Sequence, residues 1–286
     1  MSSFKKMSKA AKRPAEEHDA SENVETDVKY KQRVLLLSSR GILSRQRHLM
    51  QDLASLLPHC KKDAKLDTKS NLRLLNELAD LNNCNNCIFF ESRKGMDLYM
   101  WIAKTPNGPS AKFHVQNIHT MDELKLTGNC LKGSRPVLSF DQSFDSAPHF
   151  QLLKEMFTHA FAVPKSSRRV KPFIDHVTSL SIVDNRVWFR TYQIIEKDPE
   201  ALPKEKMALV EVGPRFCLNL IRIFGGSFSG SVLYENKEFI SPNMIRSSIK
   251  VNHANKYAKR KISNAERAYQ MVKNQLPIDP LDKAFA

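Results

Sequence analysis

RVLLLSSRGILSRQRHLMQDLASLLP, residues 33–58, holds two elements with different hydrophobic periods. Arg33–Leu37 is a short apolar run, the pattern of a buried strand. The SSRG turn follows, and from Ser44 to Leu57 the residues Leu49, Leu53, Leu56 and Leu57 recur at helical spacing. Pro58 removes a backbone donor and stops the helix. The same order returns later. PVLSF (136–140) reads as a strand, and APHFQLLKEMFTHAFAVP (147–164) reads as a helix. Phe150, Leu153, Phe157 and Phe161 form its stripe, and Pro164 ends it.

Each strand–helix opening leads into more strands. In the first copy, residues 70–81 predict a second helix with Leu72, Leu75 and Leu78 on one face. CIFFES (87–92), DLYMWIA (97–103) and AKFHV (111–115) then read as antiparallel strands joined by RKGM and TPNGPS turns. Thr120 and Glu123 form a weak capping box for a short helix. In the second copy, FIDHVTSLSIV and RVWFRTYQII flank Asp184-Asn185, a two-residue hairpin signal. ALVEV and RFCLNLIRIF flank Gly213-Pro214, which reads as a second hairpin. Strand, helix and meander thus occur twice, over roughly 30–130 and 135–235, too few and too long for a solenoid. The expectation is an α/β fold of two related halves. It divides the chain into a disordered tail (1–28), a domain (29–240) and a basic C-terminal arm (241–286).

Charge is the chain's strongest bias. The 286 residues carry 45 Lys+Arg against 30 Asp+Glu, a formal +15. At 41% hydrophobic there is enough apolar material for a core. No apolar run approaches the ~18 residues of a membrane span. MSSFKKMSKAAKRP has the charge of a signal peptide without its apolar segment, so neither secretion nor membrane insertion is expected. Five cysteines, few and odd in number, fit a reducing compartment. Residues 1–28 mix five basic and six acidic side chains with almost nothing large and apolar, hence the expected disorder. Lys29–Arg47 has six basic residues and no acid; Lys165, Arg168, Arg169 and Lys171 form a second cluster; Arg246–Lys273 has eight basic residues against Glu266 alone. A solvated helix normally mixes both signs, so sustained runs of one sign point to phosphates.

Motifs that carry chemistry are scarce. GNCLKGSR (128–135) has the glycine gap of a phosphate loop, but Ser134 stands where the Lys must be. GGSFSG (225–230) has neither the order of a dinucleotide fingerprint nor a nucleophile elbow's Ser. Cys84-x-x-Cys87 is half of a zinc motif with no second half in sequence, leaving only a convergence in space with Cys60, His59, His114 or His119. No catalytic constellation, cofactor motif or metal set stands out. The strands lack the glycine positions of an RRM, and there is no KH-type G-x-x-G. Trp101 and Trp188 occupy equivalent middle strands of the two halves. They could stack bases, though core packing is the commoner fate of such residues.

Four stretches carry a resemblance. ALVEVGPRFCLNLIRIFGGSFSGSVLYEN (208–236), with its Gly-Pro-Arg-Phe turn, resembles the signature of the Brix-domain family. The opening RVLLLSSRGILSRQRHLMQDLASLLPH is similar to that family's first strand and helix. CIFFESRKGMDLYMWIAKTPNGPSAKFHVQNIHTMDELKLTGNCLKGSRPVLSF and DHVTSLSIVDNRVWFRTYQIIE match as well, so the resemblance runs over about residues 30–245.

The resemblance implies two similar α/β halves like the anticodon-binding fold of some tRNA synthetases. It also implies a nucleolar, non-enzymatic assembly factor of the large (60S) ribosomal subunit, working in pre-60S particles without cofactor or metal. The implied partners are large-subunit pre-rRNA, ribosomal proteins and pre-60S assembly factors, including one of the EBNA-binding-protein type. Contact with rRNA is then expected at Arg40, Arg45 and Arg47, at Lys132 and Arg135, and at Lys165, Arg168, Arg169 and Lys171. Arg246, Lys250, Lys256, Lys259, Arg260 and Lys261 belong to the arm, expected to be extended or helical. Arg215, in the family turn, either touches RNA or braces the halves. Two other classes stay open: a protein-binding scaffold whose charge serves import and retention, and an RNA-processing enzyme with an unfamiliar site.

Overall fold

A computed structural model describes residues 32–67, 71–124, 128–164, 170, 171, 173–196, 207–274, 279, 281 and 284. The expected tail at 1–28 lies outside them, as do Lys165, Arg168 and Arg169.

The two copies share one topology. In the first, β1 (Val34–Ser38) leads through α1 (Ser44–Leu56) and an edge strand β2 (Cys60–Lys62) to α2 (Leu74–Leu81). Then come β3 (Asn86–Arg93), β4 (Asp97–Lys104) and β5 (Ser110–His119). β1 and β3 pair in parallel, Val34 opposite Asn86, and β3, β4 and β5 run antiparallel. A short α3 (Met121–Leu124) follows, where Glu123 N–H donates to Thr120 Oγ1 at 3.4 Å, half of the expected capping box. In the second copy, β6 (Pro136–Phe140) leads through α4 (Pro148–Phe161) to β7 (His176–Val183) and β8 (Arg186–Glu196). β6 and β7 are again parallel, and β7 and β8 antiparallel across Asp184 and Asn185, both at positive φ as the predicted tight hairpin requires.

The halves are not separate bodies. β5 pairs antiparallel with β10 (Arg215–Phe224), giving one continuous sheet of order β2-β1-β3-β4-β5-β10-β8-β7-β6. From β1 to β6 this order is a palindrome of roles, each half ending on the strand it shares with the other. The predicted hairpin at Gly213-Pro214 is absent. β9 (Met207–Glu211) and β10 both pair antiparallel with β8, β9 along Tyr192–Glu196 and β10 along Arg186–Phe189. The chain therefore runs on in one direction past Gly213, whose φ of 90° suits only glycine, and makes a jog instead of a reversal. β11 (Val232–Glu235) pairs with the end of β10, and α5 (Pro242–Lys273) follows.

Helices α1 and α4 lie on one face of the sheet. Leu49, Met50 and Leu53 of α1, with Phe150, Leu153, Phe157 and Phe161 of α4, join Ile88, Phe113, Phe189 and Phe216 in the main core. All four residues of the predicted α4 stripe are buried. Among the described residues the opposite face is covered only in the first half. There α2 and the loop bearing Phe228 bury Leu35, Leu37, Phe89 and Trp101. β8 instead alternates, with Val187, Phe189 and Thr191 buried and Trp188, Arg190 and Tyr192 half-buried on the far side. Among the described residues no helix packs on that part of the sheet.

Candidate nucleic-acid interface

α5 is the most conspicuous basic element. Ser241 caps it, its Oγ accepting from Met244 N–H at 3.3 Å, and Pro242 fills the first turn. None of its 32 residues is buried. The helix is tied to the sheet at its base. Arg246 forks onto Asp97 with two hydrogen bonds of 3.0 and 2.5 Å and adds a third to Asn243, which also accepts from Lys94. The hydrogen bonds from Arg246 are the chief cause holding the Asp97 carboxyl below the usual carboxylate range. Phe239, just before the helix, meets His114 edge to face. Arg246 is thus engaged as an anchor, while Lys250, Lys256, Lys259, Arg260 and Lys261 are exposed and make no salt bridge among the described residues. At 3.6 residues per turn, Lys256, Arg260 and Arg267 fall within about 20° of one line along the helix.

A second group gathers at the start of β6. Lys171 N–H donates to Gly133 O at 2.8 Å and Arg135 N–H to Phe173 O at 3.1 Å. These bonds bring Lys132, Arg135 and Lys171 together from two distant segments. The residues around α1 are less available than their acid-free run implied. Arg40 pairs with Asp67, and Arg45 with Glu123 at 3.3 Å, acids supplied from elsewhere in the chain. Arg47 is exposed and makes no salt bridge among the described residues. Both pairs are surface pairs of small worth, so a phosphate can compete for either guanidinium. Arg215 pairs with Glu211 at 3.5 Å beside the Gly213 jog, a bracing contact across the join of β9 and β10.

The two tryptophans, equivalent in topology, sit in different surroundings. Trp101 is buried against Phe224 and Phe228, and its indole N–H donates to Glu91 at 3.2 Å. Lys112 lies over its ring at 4.7 Å and pairs with Glu91 at 3.3 Å. Burial opposes the Glu91 charge, but Lys112, Arg93 and Trp101 together hold its carboxyl below its ordinary value. Trp188 stands on the uncovered face, with the Arg190 guanidinium 5.3 Å from its ring centre.

The catalytic and metal alternatives meet specific obstacles. Ser134, His176 and Asp175 do converge, yet Ser134 Oγ and Asp175 Oδ1 approach the same ring nitrogen, Nδ1, at 3.1 and 2.7 Å. A relay needs its orienting carboxylate and its nucleophile on opposite nitrogens, and Nε2 of His176 is buried without a partner among the described residues. Burial raises the thiol pKa of Cys84 and of Cys87, and pushes Cys60 up to about 12. Such thiols stay protonated and are weak nucleophiles. Among the described residues no cluster of three or more His, Cys, Asp or Glu suits a metal ion.

The Brix domain family model matches residues 39–222. The chain is 55% identical over 255 residues to ribosome biogenesis protein BRX1 of Saccharomyces cerevisiae, covering 88% of each. It is 53% identical over 259 residues to brx1 of Schizosaccharomyces pombe, covering 91% of this chain and 87% of that one. The Homo sapiens BRX1 homolog is 49% identical over 290 residues, covering 96% and 80%. The crystal structure of a probable ribosomal biogenesis protein from Aeropyrum pernix K1 aligns with a TM-score of 0.45 at 16% identity, over 66% of this chain and 96% of that one. With a family match running through both halves of the sheet and about half of all residues shared along most of its length, this chain belongs to the Brix-domain family.

Proposed function

We propose that the chain is a non-catalytic ribosome assembly factor that binds pre-rRNA during maturation of the large subunit in the nucleolus. The observation that carries this reading is α5: exposed lysines and arginines that make no salt bridge among the described residues, on a helix whose base is fixed to the sheet by Arg246 and Asp97. The names of the relatives, all ribosome biogenesis proteins, support the same process. Lys and Arg on such a surface displace condensed counterions from phosphates, so affinity falls with salt and depends weakly on base identity. Lys132, Arg135 and Lys171 add a second patch, and the reading also assigns RNA contact to Lys165, Arg168 and Arg169, which lie outside the described residues. In this reading residues 29–240 form the assembly domain and 241–286 the arm.

A partner protein has a place on the same helix. Val251, Ala258, Ile262, Ala265, Tyr269 and Val272 fall on a charge-free stripe opposite Arg260, all exposed. A pre-60S factor of the EBNA-binding-protein type would pack there while the basic side faces RNA. The test is crosslinking in cells with sequencing of the attached RNA, comparing the chain with a variant charge-reversed at Lys250, Lys256, Lys259, Arg260 and Lys261. Discrete peaks on large-subunit rRNA that weaken in the variant are expected. Unchanged peaks would transfer the RNA contact away from α5, and absent peaks would leave the protein-binding scaffold.

A further inference from the structure

The uncovered face of the second half is built unlike an ordinary solvated sheet. Trp188 sits opposite Ser181 on β7 and Cys217 on β10, and Arg190 sits opposite Ser179. Next along β10, Asn219 is opposite Arg186, which is exposed and makes no salt bridge among the described residues. A half-buried indole thus has small or polar neighbours and two arginines that make no salt bridge among the described residues, Arg190 being hydrogen-bonded to Tyr192. Trp101, its counterpart, has its cation neutralised by Glu91 and its ring covered by Phe224 and Phe228. The fold seals one of the two equivalent platforms and leaves the other open.

This open platform borders the foot of α5. Asn236 reaches Asn219 at 3.5 Å, Asn185 reaches Glu238 at 3.1 Å, and Phe239 packs on His114 in the next strand. Whatever polymer lies along the base of α5 therefore passes beside Trp188. A flat π face beside arginines recognises a flat π face attached to phosphates. A duplex hides its bases between neighbours, so only an unpaired nucleotide can present one.

Resting on the reading of the chain as RNA-binding, we infer that Trp188 and Arg190 form a stacking site for an unpaired base of single-stranded RNA, with Arg186 and Arg190 on the flanking phosphates. Selectivity for single-stranded over duplex segments comes from this site, and general affinity from α5.

The experiment uses the full chain at low salt with two probes, a short labelled oligouridylate and an RNA duplex of equal length. Labelled-RNA anisotropy reads binding, and tryptophan emission reads stacking. Trp101 is sealed, so quenching reports Trp188. Expected are quenching by the oligouridylate and not by the duplex, and an oligouridylate affinity about 5- to 150-fold weaker in Trp188→Leu with duplex affinity unchanged. Arg190→Gln, which leaves the ring in place, should weaken oligouridylate binding severalfold if the leucine variant proves unstable. Oligouridylate that binds without quenching, and equally well to both variants, overturns the stacking site and leaves the RNA-binding reading standing. If neither probe binds, both readings fall.

Discussion

The disposition of charge around α5 makes a quantitative prediction that net charge alone does not. Lys256, Arg260 and Arg267 lie within about 20° of one helical line, so all three can meet one RNA strand at once. Lys250, Lys261 and Lys273 lie about 100–120° from that line, flanking the charge-free stripe. Two triple variants, each replacing three cations by Gln, then carry the same net charge with different consequences. Gln preserves helix propensity, so α5 stays intact in both. Each phosphate contact contributes about 0.7–0.9 to the slope of log affinity against log salt. Between about 50 and 200 mM salt that is a factor of about 2.6–3.5 per contact, hence about 20- to 40-fold for three. Affinities for a structured RNA across this range should show wild type losing that much more than the Lys256/Arg260/Arg267 variant. The Lys250/Lys261/Lys273 variant should track wild type closely. Equal slopes for the two variants would refute the one-sided helix and reduce α5 to a diffuse cationic tail.

Three further outcomes follow from the core and its buried groups. Phe157, fully buried against Phe113, Phe144 and Phe161, links both halves, and Phe157→Ala should cost about 3–5 kcal/mol in a denaturant melt; a loss below about 1 kcal/mol would contradict the shared core. Burial pushes His59 down from 6.5 to about 4, opposed by its bond to Ala160 O, while Nδ1 is buried without a partner among the described residues. The unfolded chain protonates this residue first, so its contribution is complete above pH 6.5 and declines as pH falls to about 4, by about 3 kcal/mol. His59→Gln keeps a donor for Ala160 and should flatten that part of the stability profile; an unchanged profile assigns the loss to another group. Cys60, with its thiol pushed up to about 12, should resist a thiol-specific disulfide reagent at mildly alkaline pH until the protein unfolds, and rapid labelling at this position in the folded chain would disprove the burial.

What the sequence made legible tracks how local each determinant is. Leu49, Leu53 and the Phe150–Phe161 stripe declared their helices through spacing, and Asp184-Asn185 declared its hairpin because φ must be positive at both residues. Gly213-Pro214 misled because turn residues report a break in a strand, whereas the partner of each segment is chosen by distant hydrogen bonds to β8. Charge misled in the same way. A segment with few or no acids can still be neutralised by acids from afar, as Asp67, Glu123 and Asp97 do for Arg40, Arg45 and Arg246. The open platform had a signal that equivalence of position concealed. DLYMWIA is apolar on both alternations, which a strand needs only when both its faces are covered. RVWFRTY instead alternates Val187, Phe189 and Thr191 with Trp188, Arg190 and Tyr192, the pattern of a strand with one free face. Residues that share a place in a duplicated fold therefore need not share a role. α2 and the Phe228 loop cover only one half, so the other keeps an aromatic and two arginines facing outward, beside the foot of the helix that carries the densest positive charge.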